Sequence, residues 1–580
     1  MTVTQRTTGP TTTLHWQAPG PGFWRQDDSH VPQVATRYFI EIMIEIVGDP
    51  ETWKGFRDYG LLVASLDARA VNGYVYMRPR IAAAPEKPSS GSPPPVLLKL
   101  LFALHPELRY RKRRAALVFA TKRWRQDRVR WQQDLAPRLR ERLLALQQVD
   151  PTTLDDAALR AHLHATRKAF IEGAQLHFHL LPVDMIPVGD WLRRTCAWTG
   201  ATPAEAMQVL KGKAQGAVAP LTLLDHLADV VRRTPAAREM LHETHLEAAD
   251  CVERLRASEP AVAHALDVYL TDYGDRLVTG YDICELTLRE LPQVLLKSIA
   301  ATVDGQATAQ VSTDAEEVAA QVRSRVPAFA RTEYDALLAE ACFAFGLQED
   351  HVGMTEYWPA GLVRRAILAA GGRLAARGRI EQPEHLLDAL SGEIDALLGG
   401  PGTAPTRDEL ARRAEERRLL QGEHPPAGLG EPEVPPPAGL LPPVLERVTQ
   451  AMLFYLLSLD ADPTKQAQST NETLTGLGVS RGTYTGRARV VQEAADFQKV
   501  EAGDILVAAV TSSGYNVLLP LLGAIVTDRG GVLCHTAIVA REFGIPAVVG
   551  TGEATARIAD GARIRVDGTN GTVVILAGDF

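Results

Sequence analysis

The stretch from Ala524 to Gly550 constrains the fold of this chain more than any other part of the sequence. Its pattern predicts a short buried strand (Ala524 to Thr527), a polar turn, a helix, and a second buried strand (Ala547 to Val549). Gly544 is a typical helix stop. His535 falls where the turn becomes helix, and the small and apolar residues after it predict a helix that packs on a sheet while its first turn stays open.

The position of His535 suits a carrier of phosphoryl groups. A neutral imidazole is a nucleophile, and at an unperturbed pKa of about 6.5 roughly three-quarters of it is neutral at pH 7. The free N–H groups of a helix N-terminus stabilise an anion, each end contributing about 0.3–1 kcal/mol. Gly530 and Gly531 let the backbone approach a phosphate closely, and Arg529 is within reach for charge-assisted hydrogen bonds. A histidine alone at this place could simply cap the helix; the combination favours the carrier.

These residues resemble the swivelling phosphohistidine domain of the PEP-utilising enzymes. The similarity covers roughly residues 474–577 and includes the runs 476–482, 486–490, 503–507 and 567–573. It implies that His535 accepts the phosphoryl group. It also implies a phosphate loop around the histidine, made of Thr527, Asp528, Arg529, Gly530, Gly531 and Cys534.

Two positions depart from that family's pattern. Leu533 stands where the dikinases and synthases of the family usually have threonine, which removes a hydroxyl that could bond the phosphate. The loop 511–516 lacks the proline that is usual after an early strand of the domain, which puts contacts with a partner surface in doubt.

Length and charge limit the remaining possibilities. A chain of 580 residues is too long for one core and predicts three to four domains. A net charge of −8 argues against general affinity for nucleic acid or an anionic membrane. Five scattered cysteines without C-x-x-C spacing predict a reducing, cytoplasmic setting and no structural zinc. The start of the chain shows no apolar signal segment, so cytoplasmic localisation is the expectation.

The predicted organisation is multidomain, with a large mainly α-helical domain and a C-terminal α/β swivelling phosphohistidine domain. Residues 1–22 form a disordered or frayed lead-in, and 23–420 form the helical, acceptor-binding domain, interrupted by a Pro/Ser-rich loop at 85–95. Residues 421–475 form a linker with one helix at about 444–459, and 476–580 form the swivelling domain.

The helical part offers a few candidate binding residues. His177 and His179 form an H-x-H pair near Asp184, but on a helix residues two apart point about 200° away from each other and cannot share an ion. We therefore predict no metal site; the pair either lines a substrate pocket or packs structurally. The basic run from Arg109 to Arg130 is best explained as the solvated face of an amphipathic helix, with a docking surface for an acidic partner as the alternative.

Three stretches resemble the acceptor-binding domain of rifampicin phosphotransferase-like proteins: 23–32, 273–283 and 364–384. By this resemblance Tyr273, Arg276 and Asp282 are substrate-binding candidates, with structural packing as the alternative for each.

The sequence lacks a G-x-x-x-x-G-K-[ST] loop and the strands of a nucleotide-binding sheet. Because a histidine needs a bound donor, the expectation is a separate ATP-grasp partner that binds ATP and Mg²⁺, with no cofactor held tightly by this chain. The predicted activity is a dikinase-type phosphotransferase that passes the phosphoryl group from His535 to the hydroxyl of a small molecule. Two alternatives stay open. The acceptor is activated for condensation or dehydration through a phosphorylated intermediate, or the chain is a non-catalytic docking protein.

Overall fold

The computed structural model describes residues 14–85, 94–241, 247–305, 315–431, 439–460 and 472–576. As predicted, it has a large helical region followed by a C-terminal α/β domain. Most of the Pro/Ser-rich loop at 85–95, the first thirteen residues of the lead-in and parts of the linker lie outside the described residues.

The helical region contains twenty helices among the described residues. The first ten are α1 (Arg37–Gly48), α2 (Lys54–Asp58), α3 (Pro95–Leu104), α4 (Pro106–Thr121), α5 (Arg123–Arg130), α6 (Ala136–Gln147), α7 (Asp156–Thr199), α8 (Pro203–Met207), α9 (Gln215–Arg233) and α10 (Pro235–Leu241). The next ten are α11 (Ala248–Ser258), α12 (Pro260–Tyr273), α13 (Pro292–Val303), α14 (Ala315–Ser324), α15 (Arg331–Ala344), α16 (Leu347–Val352), α17 (Trp358–Ala376), α18 (Ser391–Leu397), α19 (Arg407–Leu420) and α20 (Pro443–Leu457). A π-helical turn, Gly353–Tyr357, joins α16 to α17.

The long helix α7 is the axis of this region. The Asp155 side chain caps its N-terminus by accepting a hydrogen bond from the Ala158 N–H. Helix α20 packs along α7, and a Cβ at Gly189 would lie 2.1 Å from the Ala451 carbonyl oxygen, so only glycine permits this approach. The helix predicted at 444–459 therefore forms, but it belongs to the helical core instead of standing apart in a linker.

A four-stranded antiparallel sheet covers one side of the helices, in the order β2-β3-β1-β4. Its strands are β1 (Trp24–Gln26), β2 (Val63–Val71), β3 (Tyr74–Ile81) and β4 (Gly428–Leu429). The turn between β2 and β3 has positive φ at Asn72 (50°) and Gly73 (79°), as a tight hairpin requires. Residues 14–22, predicted as frayed, instead pack on this sheet, with the Trp16 and Tyr74 rings 5.8 Å apart.

The C-terminal domain is an eight-stranded sheet in the order β5-β12-β11-β7-β8-β9-β10-β6. Its strands are β5 (Thr473–Thr475), β6 (Leu477–Ser480), β7 (Thr483–Val491), β8 (Asp504–Ala508), β9 (Leu522–Thr527), β10 (Ala547–Val549), β11 (Arg563–Asp567) and β12 (Thr572–Ile575). Strands β7 to β10 run parallel. Helices α21 (His535–Phe543) and α22 (Ala554–Arg557) follow β9 and β10. The predicted strand–turn–helix–strand unit is thus confirmed.

The C-terminal domain lies against the helical region through specific polar contacts. The Glu542 carboxylate accepts the Gly212 N–H at 2.8 Å, and the Ser512 hydroxyl donates to the Val278 carbonyl at 2.9 Å. A Cβ on Gly514 would lie 2.3 Å from the Val278 Cα atom, so the two backbones touch there. We call this arrangement the docked arrangement. Over the described residues, no helix is both long and apolar enough to cross a membrane.

Candidate active site

His535 is the first residue of α21, and the loop that precedes it leaves the carboxyl end of β9. Cys534 occupies the N-cap position in an extended conformation and makes no side-chain capping bond. Gly544 ends the helix in the left-handed region with φ 66°, as predicted. The first-turn N–H groups of α21 therefore surround the base of the histidine.

The loop residues predicted to cradle a phosphate have other partners in the docked arrangement. The Thr527 hydroxyl donates to the Arg529 carbonyl at 2.7 Å, and Asp528 accepts the Thr555 N–H at 3.1 Å. Arg529 forms an ion pair with Asp28 of the helical region at 2.6 Å. Thr527 and Asp528 thus hold the shape of the loop, and Arg529 ties it to the helical region.

The two glycines of the loop are required for close packing. Gly530 has φ 109°, and a Cβ there would lie 2.7 Å from the Cys534 sulfur. A Cβ on Gly531 would lie 2.5 Å from the Ser458 carbonyl oxygen. In the docked arrangement both glycines therefore allow close contact with other atoms of the protein. Burial raises the pKa of the Cys534 thiol beside them.

The imidazole of His535 is enclosed, contrary to the expectation of an open first turn. Its side chain is only 10% exposed, because Glu349 of α16 closes over it from the helical region. Nδ1 lies 2.7 Å from the Glu349 carboxylate and Nε2 lies 3.0 Å from the Asn516 side-chain oxygen. A carboxylate accepts the proton of Nδ1, so in the neutral ring Nε2 bears the lone pair, and the Asn516 amide must then turn its NH2 group, instead of its oxygen, toward Nε2.

A small cavity of about 40 Å³ adjoins these partners and is lined by Glu349, Asn516, Tyr273 and Arg276. Arg276 is the notable member, because its Nε is buried and makes no hydrogen bond within the described residues. The guanidinium stacks on the Tyr273 ring, 4.4 Å from its centroid, and burial lowers the pKa of Arg276. Two residues selected from the sequence, Tyr273 and Arg276, therefore lie beside the partners of His535.

A second, larger cavity of about 320 Å³ is lined by Gln348 of α16, whereas the neighbouring Glu349 lines the small cavity. Apolar side chains form most of its wall, among them Phe39, Met43, Trp53, Phe178, Met185 and Met452. Polar groups line the rest: Asp27, His30, His177, Tyr281, Gln348, Glu356 and Tyr455. Gln348 is the neighbour of Glu349 in the chain, so the polar wall and the His535 contact share one turn of helix.

The polar wall contains a histidine–carboxylate pair that sequence reasoning missed. His30 Nδ1 lies 2.7 Å from the Asp27 carboxylate, which raises the pKa of His30 to about 9. Burial raises the pKa of the nearby Glu356 carboxyl to about 8. The signal in the sequence was an Asp and a His at i, i+3 beside aromatic residues.

His177 and His179 point to different places, as expected for residues two apart on a helix. His177 lines the large cavity, whereas the pKa of His179 is lowered by burial near Asp127 and Asp58. Asp282 lies outside the cavity and accepts the Thr36 N–H at 2.6 Å and the Thr36 hydroxyl at 2.7 Å, which anchors the start of α1. Within the described ranges, no group of three His, Cys, Asp or Glu residues is placed to hold a metal ion.

Comparisons with known proteins match two parts of the chain. Residues 500–571 match the family described as PEP-utilising enzyme, mobile domain, and residues 180–349 match the rifampicin phosphotransferase fourth domain. A rifampicin phosphotransferase of Streptomyces sviceus is 30% identical over 378 residues, 62% of this chain and 39% of that protein.

Two further relatives match different lengths of the chain. A rifampicin phosphotransferase of Bacillus cereus is 48% identical over 105 residues, 18% of this chain and 12% of its own. The chondramide synthase cmdD of Chondromyces crocatus is 28% identical over 489 residues, 80% of this chain and 12% of its own. The chain thus spans between 12% and 39% of the length of these relatives.

Proposed function

We propose that His535 carries a phosphoryl group from a nucleotide-binding partner to a hydroxyl held by the helical region, because residues 500–571 match the PEP-utilising enzyme mobile domain family. The observation that carries the proposal is the position of His535 in the docked arrangement. Its ring, at a helix N-terminus, lies between Glu349 and Asn516 near Arg276, whose enclosed Nε has no hydrogen bond to any described residue.

Glu349 prepares the ring for this role. By accepting the Nδ1 proton it fixes the tautomer whose Nε2 bears the lone pair, and it stabilises the positive ring that exists while the N–P bond is present. Nε2 is therefore the atom we propose to be phosphorylated.

The small cavity supplies a seat for the phosphoryl oxygens. A single water needs about 10–15 Å³ of such space, so the cavity of about 40 Å³ holds about three oxygen-sized groups. An enclosed guanidinium N–H without an acceptor is unfavourable, and a phosphoryl oxygen would provide the missing acceptor. Arg276 and the N-terminus of α21 together neutralise that charge.

The large cavity is the proposed acceptor site. Its apolar wall favours a largely hydrophobic molecule, and its polar wall beside Gln348 orients a hydroxyl toward His535. Transfer breaks the N–P bond at the histidine and forms an O–P bond to the acceptor, with positioning and charge neutralisation supplying most of the rate.

The donor has to reach His535 in another arrangement of the two domains, because the docked ring is only 10% exposed. We propose that the C-terminal domain releases its contacts at Gly212 and Val278 and presents the ring to a separate ATP-grasp protein that binds ATP and Mg²⁺. The proposal includes a dikinase-type reaction, a separate partner protein and a cytoplasmic setting.

The experiment is labelling with ATP that carries ³²P at either the β or the γ position, together with candidate ATP-grasp proteins. We expect an acid-labile, base-stable label on the wild-type chain and none on His535→Ala. If neither chain is labelled with any partner, the docking-protein alternative is favoured. The mass of the final product separates phosphoryl transfer, which adds one phosphoryl group, from condensation or dehydration, which does not.

A further inference from the structure

We propose that Glu356 is the general base that removes the proton of the acceptor's hydroxyl during transfer from His535. This inference rests on the proposed function and adds a catalytic residue to the acceptor side of the same site. The step balances: the N–P bond breaks and its electron pair returns to the imidazole, the O–P bond forms, and the hydroxyl proton passes to the Glu356 carboxylate.

Glu356 is a buried residue whose carboxyl group is open to the large cavity. Only 8% of its surface is accessible, it lines the large cavity, and it makes no hydrogen bond or ion pair with any of the residues described. Other buried carboxyls are bonded: Asp184 accepts from the Gln348 N–H and the Tyr455 hydroxyl, and Asp282 accepts from Thr36. Among the described residues, the enclosed side-chain atoms that lack a hydrogen bond do not include the Glu356 oxygens, so these oxygens are open to the cavity and can bond a ligand there.

The backbone at this residue is also unusual. Glu356 belongs to the π-helical turn Gly353–Tyr357, and such turns inside helices occur frequently at functional sites. The same turn places Gly353 against Arg276, where a Cβ would lie 2.4 Å from Nη1. The π-helical turn therefore contributes Gly353 to the small cavity and Glu356 to the large cavity.

Glu356 and the partner of His535 lie on one short stretch of helix. Glu349 is in α16, and Glu356 is in the π-helical turn that follows α16 directly. Glu349 touches the His535 ring. The inference requires an acceptor in the large cavity to present its hydroxyl to Glu356 and to the phosphoryl group of His535 together.

The other titratable groups of the cavity are less suited to this role. His30 is already paired with Asp27, and its pKa of about 9 keeps it protonated at neutral pH. Burial raises the pKa of Tyr281 and Tyr455, which line the cavity, and of Tyr357, which stacks on Tyr281, so these hydroxyls act as donors.

His177 can bind a hydroxyl but is a poor base. His351 Nδ1 donates to the Leu347 carbonyl at 2.6 Å, so its Nε2 accepts the His177 Nδ1 proton at 3.1 Å. His177 Nε2 is left as a hydrogen-bond acceptor. Because burial lowers the pKa of His177 well below its usual value, it does not retain a proton. Glu356, whose pKa is about 8, is matched to proton transfer near neutral pH.

The test uses phosphorylated chain freed of its partner, with water and 3-phenylpropanol as acceptors, over pH 6 to 9. We expect Glu356→Gln to become labelled on His535 as the wild type does. It then loses the phosphoryl group to either acceptor roughly 10²–10⁴-fold more slowly than the wild type. The wild-type rate should rise with pH up to about 8, and this rise should be absent in the variant. Subtraction of the rate for denatured phosphorylated chain removes background loss, which falls as pH rises because phosphohistidine is acid-labile.

Controls separate base catalysis from structural damage. Glu356→Asp keeps a carboxylate and should regain part of the rate and the pH dependence, whereas Glu384→Gln makes the same chemical change at an exposed site and should match the wild type. Equal rates and pH profiles for wild type and Glu356→Gln would overturn the inference. Failure of any label to appear on His535 would instead refute the proposed function on which it rests.

Discussion

The contact between Gly514 and Val278 offers a way to disturb the docked arrangement. Both residues also line the small cavity, so a substitution there alters the proposed phosphoryl site as well. A Cβ at position 514 would lie 2.3 Å from both the Cα and the carbonyl oxygen of Val278. Ordinary contacts begin near 3.4 Å, and the atoms met are backbone, which cannot rotate away. Gly514→Ala therefore forces the two domains apart, while the fold of each domain has room to persist.

The size of the effect follows from the cost of overpacking, typically about 1–3 kcal/mol. At about 1.4 kcal/mol per tenfold change in an equilibrium constant, the docked population falls roughly 5- to 150-fold relative to the released one. Hydrogen–deuterium exchange of peptides covering 276–290 measures this directly, because those amides lie under the contact. We expect faster exchange in Gly514→Ala, faster domain release, and labelling of His535 that is unchanged or increased.

The matched control is Gly372→Ala, since a Cβ at Gly372 meets nothing within 4 Å. It should exchange like the wild type. If Gly514→Ala also exchanges like the wild type and transfers its phosphoryl group at the same rate, the docked arrangement is not the one from which transfer takes place.

Three further predictions address single side chains. Glu349→Gln should slow transfer from phosphorylated His535 roughly 10- to 150-fold, because a hydrogen bond to a charged group is worth about 1.5–3 kcal/mol. Labelling of His535 by the partner takes place away from Glu349 and should stay within about twofold of the wild-type rate. Single-turnover kinetics measure both steps, and an equal loss in both would contradict this prediction. Arg276→Met should abolish most transfer yet raise the melting temperature, because it removes a half-buried cation whose enclosed Nε has no acceptor among the described residues. A lower melting temperature by calorimetry would show that Arg276 is structural. Burial raises the pKa of Glu356 from 4.5 to about 8, so the folded chain binds more protons there than the unfolded chain, and this contribution to stability is lost as pH rises through that window. Near pH 5, Glu356→Gln and the wild type should therefore have the same free energy of unfolding in urea. Toward pH 8 the free energy of unfolding of the variant should exceed that of the wild type by up to about 1.4 kcal/mol more for each pH unit. Parallel plots of the two free energies against pH would refute the raised pKa of Glu356.

The local part of the site could be predicted from the sequence. The strand, turn, helix and strand around His535 depend on residues within 30 positions of one another, and Gly544 and the small residues of the helix specify its end and its buried face. The turn at Asn72 and Gly73 was predictable for the same reason, since its chemistry is contained in two residues.

The partners of His535 could not be predicted, because they come from distant parts of the chain. Glu349 is 186 positions from the histidine it contacts. The pairing of His30 with Asp27 is local, but only the fold shows that this pair faces a cavity with Glu356. Asp282 was selected by resemblance, and it anchors α1 through Thr36.

The most direct test of the account is a chase of labelled chain. Wild-type protein carrying ³²P on His535 is separated from its partner and from ATP, and then mixed with hydroxyl compounds that fit the large cavity. The account predicts that label leaves the histidine and appears in an acid-stable phosphate ester, and that His535→Ala never acquires label. An acid-stable product formed equally well by His535→Ala, with the complete system present, would contradict it.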